Sequence, residues 1–229
     1  MRTWQTIRTP ALGRHVHGEA YAAVVLSGGY EEAGDYGRFR VKAGDVIFHG
    51  QFEAHLDRFS DAGAQVLNLR LPIGSYCTRG IARVADLDLI ARVAERSQRE
   101  AVDLLFSIAR SKMPQPADWP DVLATALIGN PSLKLSQWGE NNGIAPWTVS
   151  RGFAMVFGVS PEAFRERTRA HHALKLIHYT QAPLASIAAE LGFADQSHMT
   201  RSVKRLTGIA PHAWRSAANG SNTRRHRDA

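Results

Sequence analysis

The chain has 229 residues, of which 44% are apolar and 21% are charged, a composition typical of a globular protein with one large or two small cores. These values exclude a collagenous or disordered chain, and no run approaches the ~20 apolar residues that cross a bilayer. The single cysteine, Cys77, cannot form an intramolecular disulfide, and the polar first ten residues lack the apolar core of a signal peptide. We therefore expect a cytoplasmic protein of two domains.

The charge is distributed unevenly along the chain. Residues 1–130 carry 15 Lys and Arg against 15 Asp and Glu, whereas residues 131–229 carry 13 against 6, so the whole net charge of +7 lies in the second part. A basic part joined to a neutral part indicates that the C-terminal part meets a polyanion while the N-terminal part has another task. The alternative from charge alone is a solvated basic surface.

The N-terminal part has the pattern of short strands. From Tyr21 to Leu71 the apolar runs YAAVVL, RFRV, DVIF and AQVLNLRL alternate with the turn-like stretches SGG, AGDYG, KAGD and SDAG. This spacing predicts a small antiparallel barrel or sandwich over about residues 10–75.

The period changes from Arg79 to Ser111. Apolar residues recur there every three or four positions, interrupted by the polar stretch ERSQRE. The pattern predicts one amphipathic helix over about residues 79–111, with a possible break in its middle. The helix packs its apolar stripe on the barrel or pairs with a second copy of the chain, and the sequence leaves both open.

A proline-rich segment follows. Residues 113–120, MPQPADWP, contain three prolines and are not expected to continue a helix. We therefore predict an N-terminal domain at 1–112, a linker at 113–120 and a helical domain at 121–217. The basic tail 218–229 is expected to be disordered, and its three arginines either touch DNA nonspecifically or have no role.

The helical part contains an internal repeat. Residues 151–165, RGFAMVFGVSPEAFR, align with 201–215, RSVKRLTGIAPHAWR, at an offset of 50, and the offset becomes 49 further upstream. The domain is therefore a duplicated helical unit.

Each copy has the pattern of a helix-turn-helix. In the second copy, Gly192 ends a short helix and Asp195 caps the next one. In the first copy the turn is Gly143–Ala145, and Pro146 begins the following helix.

A long helix is predicted between the two copies. Ser160 and Pro161 form its cap and first residue, and it runs to about Tyr179. Three histidines on this helix, His171, His172 and His178, are expected at its surface.

The run from Ile187 to Arg215 resembles the signature of AraC/XylS-type transcription regulators. The matching positions are Ala188, Gly192, Phe193, Asp195, Ser197, Arg201, Lys204, Gly208, Pro211 and Arg215. The resemblance covers Val122–Ser216, although Val203 replaces the usual Phe and Ala145 replaces a common Ser cap. It implies two helix-turn-helix units on one face, whose second helices enter successive major grooves about 34 Å apart.

Residue roles follow from the geometry of a helix in the major groove. The exposed N-terminal side chains reach base edges, where Arg can bridge guanine and Gln can bridge adenine. The predicted base contacts are Trp147, Thr148, Ser150, Arg151, Gln196, Ser197, His198 and Arg201. The predicted phosphate contacts are Arg165, Arg167, Arg169, Lys204 and Arg205. The residues at core spacing are Phe153, Val156, Phe157 and Val203.

Some of these residues have a structural alternative. Arg151 or Arg201 could pair with a nearby acid instead of a base, and Trp147 could be a packing residue.

The N-terminal part is similar to the two motifs of the cupin barrel, a common effector-sensing domain attached to this DNA-binding module. In AGDVIFHGQFEAH, Gly44 and His55 match the second motif, while Gly50 and Phe52 replace its usual proline and glycine. The histidines of RHVHGE match the HxH of the first motif.

The cupin resemblance implies a pocket, with or without a metal. In enzymes of that family, histidines and a carboxylate converge on a divalent first-row metal, and the matching ligands are His15, His17 and His55. Strand alternation puts Glu19 on the same face, but it is displaced from the family's glutamate. The alternative is a metal-free pocket for a small ligand, lined by these residues with His49 as the spare candidate.

Together these patterns predict an α+β protein of two domains that regulates transcription by sequence-specific binding of double-stranded DNA and is not an enzyme. The expected partners are a small-molecule effector or metal in the barrel, RNA polymerase, and a second copy of the chain in a homodimer, with no membrane. One alternative is a DNA-binding protein whose barrel only dimerises. The other is a cupin metalloenzyme, which the displaced Glu19 disfavours.

Overall fold

The computed structural model of the chain describes residues 3–72, 80–113, 116–130 and 132–216. Contacts divide the chain into two compact units, 1–125 with 152–158 and 126–151 with 159–229. The domain boundaries given above stay a prediction. Cys77 and the basic tail lie outside the described residues.

The first unit contains an antiparallel sheet, which confirms the strand prediction at that level. Its strands are β1 (Trp4–Ile7), β2 (Ala11–Val16), β3 (Tyr21–Gly34), β4 (Gly37–Lys42), β5 (Asp45–His49), β6 (Ala54–Arg70), β7 (Gly80–Arg83) and β8 (Arg110–Lys112). The order is β1-β6-β3-β5-β7-β8, with β2 also on β6 and β4 also on β3. Closure into a cupin-like barrel stays a prediction.

Two of the four predicted turns are wrong. AGDYG forms the hairpin turn between β3 and β4, and KAGD forms the turn between β4 and β5, but SGG and SDAG lie inside the long strands β3 and β6. Gly28 and Gly63 there have φ values of +70° and +69°, and the register of β3 on β6 shifts on either side of Gly28. The glycines therefore permit bulges in continuous strands instead of ending them.

The predicted helix over 79–111 is wrong at both ends and correct about its break. The structure has α1 (Leu87–Arg96) and α2 (Gln98–Ile108), flanked by the paired strands β7 and β8. Asp86 caps α1 by accepting from the backbone N–H of Leu89 at 2.8 Å, so the helix begins there. Ser97 is extended and separates the helices, and its hydroxyl accepts from the N–H of Glu100 at 3.2 Å.

Alternation along β3 separates two apolar faces. Ala22 and Val24 belong to a buried cluster that includes Ile90 of α1 and Leu105 of α2. Tyr21, Ala23 and Val25 belong to a second cluster on the other face. The apolar stripe of α1 and α2 thus packs on the sheet, and pairing with a second copy stays a prediction.

The C-terminal part is helical, as predicted. Its helices are α3 (Trp119–Gly129), α4 (Leu135–Asn141), α5 (Pro146–Phe157), α6 (Pro161–Tyr179), α7 (Leu184–Glu190) and α8 (Gln196–Thr207), with a further helical segment at 211–216. As predicted, no helix continues into 113–120 from α2, which ends at Ile108, and α3 begins within that stretch at Trp119. Pro120 lies in the first turn of α3, where its missing N–H costs no hydrogen bond.

Local caps fix the starts and ends of these helices as the sequence predicts. Ser160 precedes Pro161 and accepts from the backbone N–H of Ala163 at 3.2 Å. Asp195 accepts from the N–H of His198 at 2.6 Å. Gly143 and Gly192 have the positive φ values, +66° and +69°, that suit the turns after α4 and α7.

The expectation for the histidines of α6 is wrong for His171, which is buried; His172 and His178 are partly buried. In the described part of the chain, no helix is long and apolar enough to span a membrane.

Candidate functional site

The N-terminal half of α5 is amphipathic. Trp147 is 69% exposed, which removes the packing alternative for this residue. Ser150 and Arg151 are exposed and Thr148 is partly exposed, while Val149 and Phe153 are buried. The predicted base-contacting side chains therefore lie on the solvent side of the helix.

The N-terminal half of α8 has the same arrangement. Gln196, Ser197 and Arg201 are exposed and His198 is partly exposed. The inward positions are Met199 and Val203, which are fully buried. Val203 therefore fills the core position where the resembled family has Phe.

The two arginines that are candidates for reading guanine are Arg151 and Arg201. Within the described residues, neither of them forms an ion pair with an acid. The acid-pairing alternative is therefore not observed in this part of the chain.

Two arginines of α6 bind backbone carbonyls. Arg165 donates to the carbonyl of Leu133, before α4, at 3.0 Å. Arg169 donates to the carbonyl of Gly192 at 2.8 Å, and its guanidinium carbon lies 5.4 Å from the ring centroid of Phe193. These bonds tie α6 to the entry of α4 and to the turn between α7 and α8, which favours a positioning role. Their predicted phosphate contacts are untested.

The other predicted phosphate contacts lie on α6 and α8. Lys204 is exposed, and Arg167 is partly exposed beside a groove between the two helices. Arg205 donates to Oε1 of Glu166 at 2.7 Å while most of its side chain stays exposed. Their proposed DNA contacts stay predictions.

A cavity of about 100 Å³ lies in the first unit. Its polar lining residues include His15, His17, Tyr21, Glu32, His49, His55, Asp57 and Asn68. Four of the five predicted pocket residues are therefore brought together, His15 from β2, His17 from just after it, and His49 and His55 from β5 and β6.

Glu19 does not belong to the cavity, so its prediction as a pocket residue is wrong. Its side chain is exposed and pairs with Arg70 at 3.0 Å. Because β2 ends at Val16, strand alternation does not extend to Glu19.

The predicted histidines are close together. The imidazole centroid of His55 lies 4.4 Å from that of His15, 5.3 Å from His17 and 4.7 Å from His49. One ring nitrogen from each of His15, His17 and His55 can be chosen so that all lie within 4.8 Å of one another. Their predicted role as metal ligands is untested.

A second set of donors shares His55. Nδ1 of His55 lies 3.0 Å from Oδ1 of Asp57 and 3.5 Å from Oε2 of Glu32, which in turn lies 3.5 Å from Nε2 of His49. On the other side of the ring, Nε2 of His55 lies 3.1 Å from the hydroxyl of Tyr21.

Burial governs the charge of this cluster. It raises the pKa of Glu32, with the nearby carboxylates of Asp57 and Glu53 adding to the effect. It lowers the pKa of His49, and it lowers that of His17 to about 4, in both cases helped by neighbouring histidines. These shifts disfavour the charged forms of Glu32, His49 and His17.

The helical region matches known proteins. Residues 138–217 match the profile of a helix-turn-helix domain family. The arabinose operon regulatory protein of Escherichia coli K12 is 24% identical over 164 residues, which is 71% of this chain and 53% of that protein. The HTH-type transcriptional regulator ExsA of Pseudomonas aeruginosa is 35% identical over 78 residues, 34% of this chain and 28% of that protein. The helical part is therefore similar to HTH-type transcriptional regulators.

The chain is also similar to solved structures. A probable AraC family transcriptional regulator from Rhodopseudomonas palustris is 23% identical, covers 42% of this chain and 93% of its own, and has a TM-score of 0.39. ToxT from Vibrio cholerae is 11% identical, covers 93% of this chain and 98% of its own, and has a TM-score of 0.43.

The chain spans about half, or less, of the length of these curated relatives. They are named as regulators, and the expectation that this chain is not an enzyme stays a prediction.

Sequence reasoning missed two buried carboxylates, Asp57 and Glu32. Asp57 had a signal, because it stands two residues after His55 on β6 and therefore shares its face. Glu32 had none, since its approach to His55 depends on how β3 pairs with β6, across sequence-distant residues.

Proposed function

We propose that the chain is a regulator of transcription that binds double-stranded DNA in a sequence-specific way. The observation that carries this proposal is the exposure of polar and aromatic side chains on the N-terminal halves of α5 and α8, each preceded by a glycine turn, in the basic part of the chain. Trp147 matters most, because a large aromatic side chain that is 69% exposed has no role in the core of its own domain.

In the proposed mode of binding, α5 and α8 are the second helices of two helix-turn-helix units. They enter successive major grooves, about 34 Å apart along the duplex. Arg151 and Arg201 pair with O6 and N7 of guanine, and Gln196 pairs with N6 and N7 of adenine. Lys204 and Arg167 contact phosphates and set the dependence on salt.

The N-terminal sheet is proposed to sense an effector. The polar cavity with four converging histidines supports this role over a sheet that only dimerises. Binding in the cavity would change the dimerisation of this cytoplasmic protein or its contact with RNA polymerase, and so alter promoter occupancy. The dimer would form through α1 and α2.

The test is selection of bound duplexes from a randomised pool by the purified chain. We expect enrichment of a site with two conserved segments separated by about one helical turn, 10 to 10.5 base pairs. Selection should be repeated with the double variant Arg151→Ala, Arg201→Ala as the control, which should lose the motif. Binding by the native chain without any enriched sequence would contradict the proposal.

The two arginines Arg169 and Arg167 provide a matched comparison on one helix. Arg169→Ala removes the bond to Gly192 and its stacking on Phe193, so we expect a loss of about 1–2 kcal/mol in the free energy of unfolding and weaker DNA binding with an unchanged salt slope. Arg167→Ala should weaken binding uniformly and reduce the slope of log K against log salt by about one. Thermal unfolding and binding at several salt concentrations measure both. A reduced slope with unchanged stability in Arg169→Ala would make that residue a phosphate contact.

A further inference from the structure

The cavity is too small for most organic effectors. Its volume of about 100 Å³ compares with roughly 300–1,000 Å³ for pockets that hold drug-sized ligands. A water molecule takes up about 30 Å³, so the space suits an ion with one or two waters. The size and the polar lining together favour a cation over a sugar or a fatty acid.

Two buried side chains that line the cavity have polar atoms without a hydrogen-bond partner in the described part of the chain. These atoms are both carboxylate oxygens of Glu32 and both ring nitrogens of His49, and each residue is 1% exposed. Buried polar groups are nearly always hydrogen-bonded, so a group of orphaned atoms around one space indicates a missing binding partner.

The donor atoms are spaced as metal ligands are. His55 lies 3.0 Å from Asp57 and 3.5 Å from Glu32, and His49 lies 3.5 Å from Glu32, measured between donor atoms. Around an ion with bonds of about 2.1 Å, neighbouring ligand atoms stand about 3.0–3.4 Å apart. One atom each of Glu32, His55 and Asp57 also lies within 4.8 Å of the other two.

The hydroxyl of Tyr21 suits His55 to this role. A ligating histidine commonly donates its other ring N–H to an oxygen, which fixes its orientation. Nε2 of His55 is 3.1 Å from the Tyr21 hydroxyl, which can accept this hydrogen bond and leave the lone pair of Nδ1 directed towards the two carboxylates.

We propose that Glu32, His55 and Asp57 form a binding site for a divalent first-row metal ion, with His49 beside Glu32. The site is distinct from the set His15, His17 and His55 that the sequence predicts, and the two share one histidine. One imidazole and two carboxylates suit a divalent transition metal such as cobalt, iron or zinc, and two carboxylates neutralise its charge in the buried interior. The site does not depend on the proposed DNA binding.

Cobalt(II) is the probe that tests this site. The full chain is freed of metal with a chelator, and its binding is followed by calorimetry and by the d–d absorption of the ion. We expect one cobalt ion per chain, at least tenfold weaker binding in Glu32→Gln and Asp57→Asn, and no more than a threefold change in His17→Ala. Glu19→Gln is the matched control for Glu32→Gln, since it makes the same chemical change outside the cavity and should leave binding unchanged.

A second measurement guards against misfolding of the variants. Cobalt should raise the melting temperature of the native chain and of Glu19→Gln but not that of Glu32→Gln, whose melting without metal reports whether it folds. Loss of binding in His17→Ala with native-like binding in Glu32→Gln would overturn the proposal in favour of the sequence-predicted set. The absence of cobalt binding by the native chain would also overturn the proposal. The carboxyl groups of the cluster would then share protons instead of binding a metal ion. Neither result would affect the proposal on DNA.

Discussion

Replacing Arg201 by alanine is expected to weaken binding to the selected duplex by about 1–3 kcal/mol, or roughly 5- to 150-fold, and to relax the choice of base at one position. Arg201 lies on the exposed side of α8, in the second turn after the cap at Asp195, where a helix in the major groove approaches base edges. It has no acidic partner in the described part of the chain, so its five donors are available to guanine. Binding to duplexes substituted at each position measures the effect.

Arg205→Ala is the matched control for Arg201→Ala. Arg205 lies one turn further along α8 and pairs with Glu166, so its removal should weaken all duplexes by a similar and smaller factor. A uniform loss in Arg201→Ala would instead make that residue a phosphate contact. Arg201→Lys adds a second check, because lysine keeps the charge but cannot make the bidentate bond, so base discrimination should fall more than affinity.

The helical part could be predicted because its signals are local. The hydroxyl of Ser160 and the carboxylate of Asp195 bond to N–H groups three residues away, and Gly192 ends its helix by its own backbone conformation. The hydrogen bonds and torsions concerned span a few residues, so the sequence carries most of the information needed. The start of α3 has the same local origin, because a proline such as Pro120 that cannot continue one helix suits the first turn of the next.

The sheet was predicted less well because its pairing is not local. The arms of β3 and β6 run through SGG and SDAG since each strand has a partner on the far side of the glycines, for example Tyr30 opposite Phe59. Likewise the strands 80–83 and 110–112 pair with each other, although the sequence predicts one helix over 79–111. The periodicity of apolar residues cannot show that two short segments about 30 residues apart pair as strands.

The candidate cavity shows the same difference between local signals, which the sequence reveals, and non-local pairing, which it does not. The motif histidines could be located from spacing alone, and His15, His17, His49 and His55 do converge. The carboxylate that was expected, Glu19, failed because its strand ends three residues earlier. Glu32 lies near the histidines only because β3 pairs with its neighbouring strands. The carboxylate of the cluster therefore depends on tertiary structure and could not be found from sequence spacing.

Replacing Gly28, which forms a bulge in β3, by alanine is expected to lower the free energy of unfolding by about 3 kcal/mol or more. A Cβ on Gly28 would lie 2.0 Å from the carbonyl oxygen of Gly63, in backbone that cannot rotate away, and the φ of +70° is itself unfavourable for alanine. Gly13→Ala in β2 is the control, because a Cβ there meets nothing within 4 Å. The urea concentration at the midpoint of its unfolding should change little. Urea unfolding followed by far-ultraviolet circular dichroism measures both variants. If Gly28→Ala unfolded at the native midpoint, the strands would have to separate at SGG and SDAG, and the turns that the sequence predicts would be the correct description of this part of the sheet.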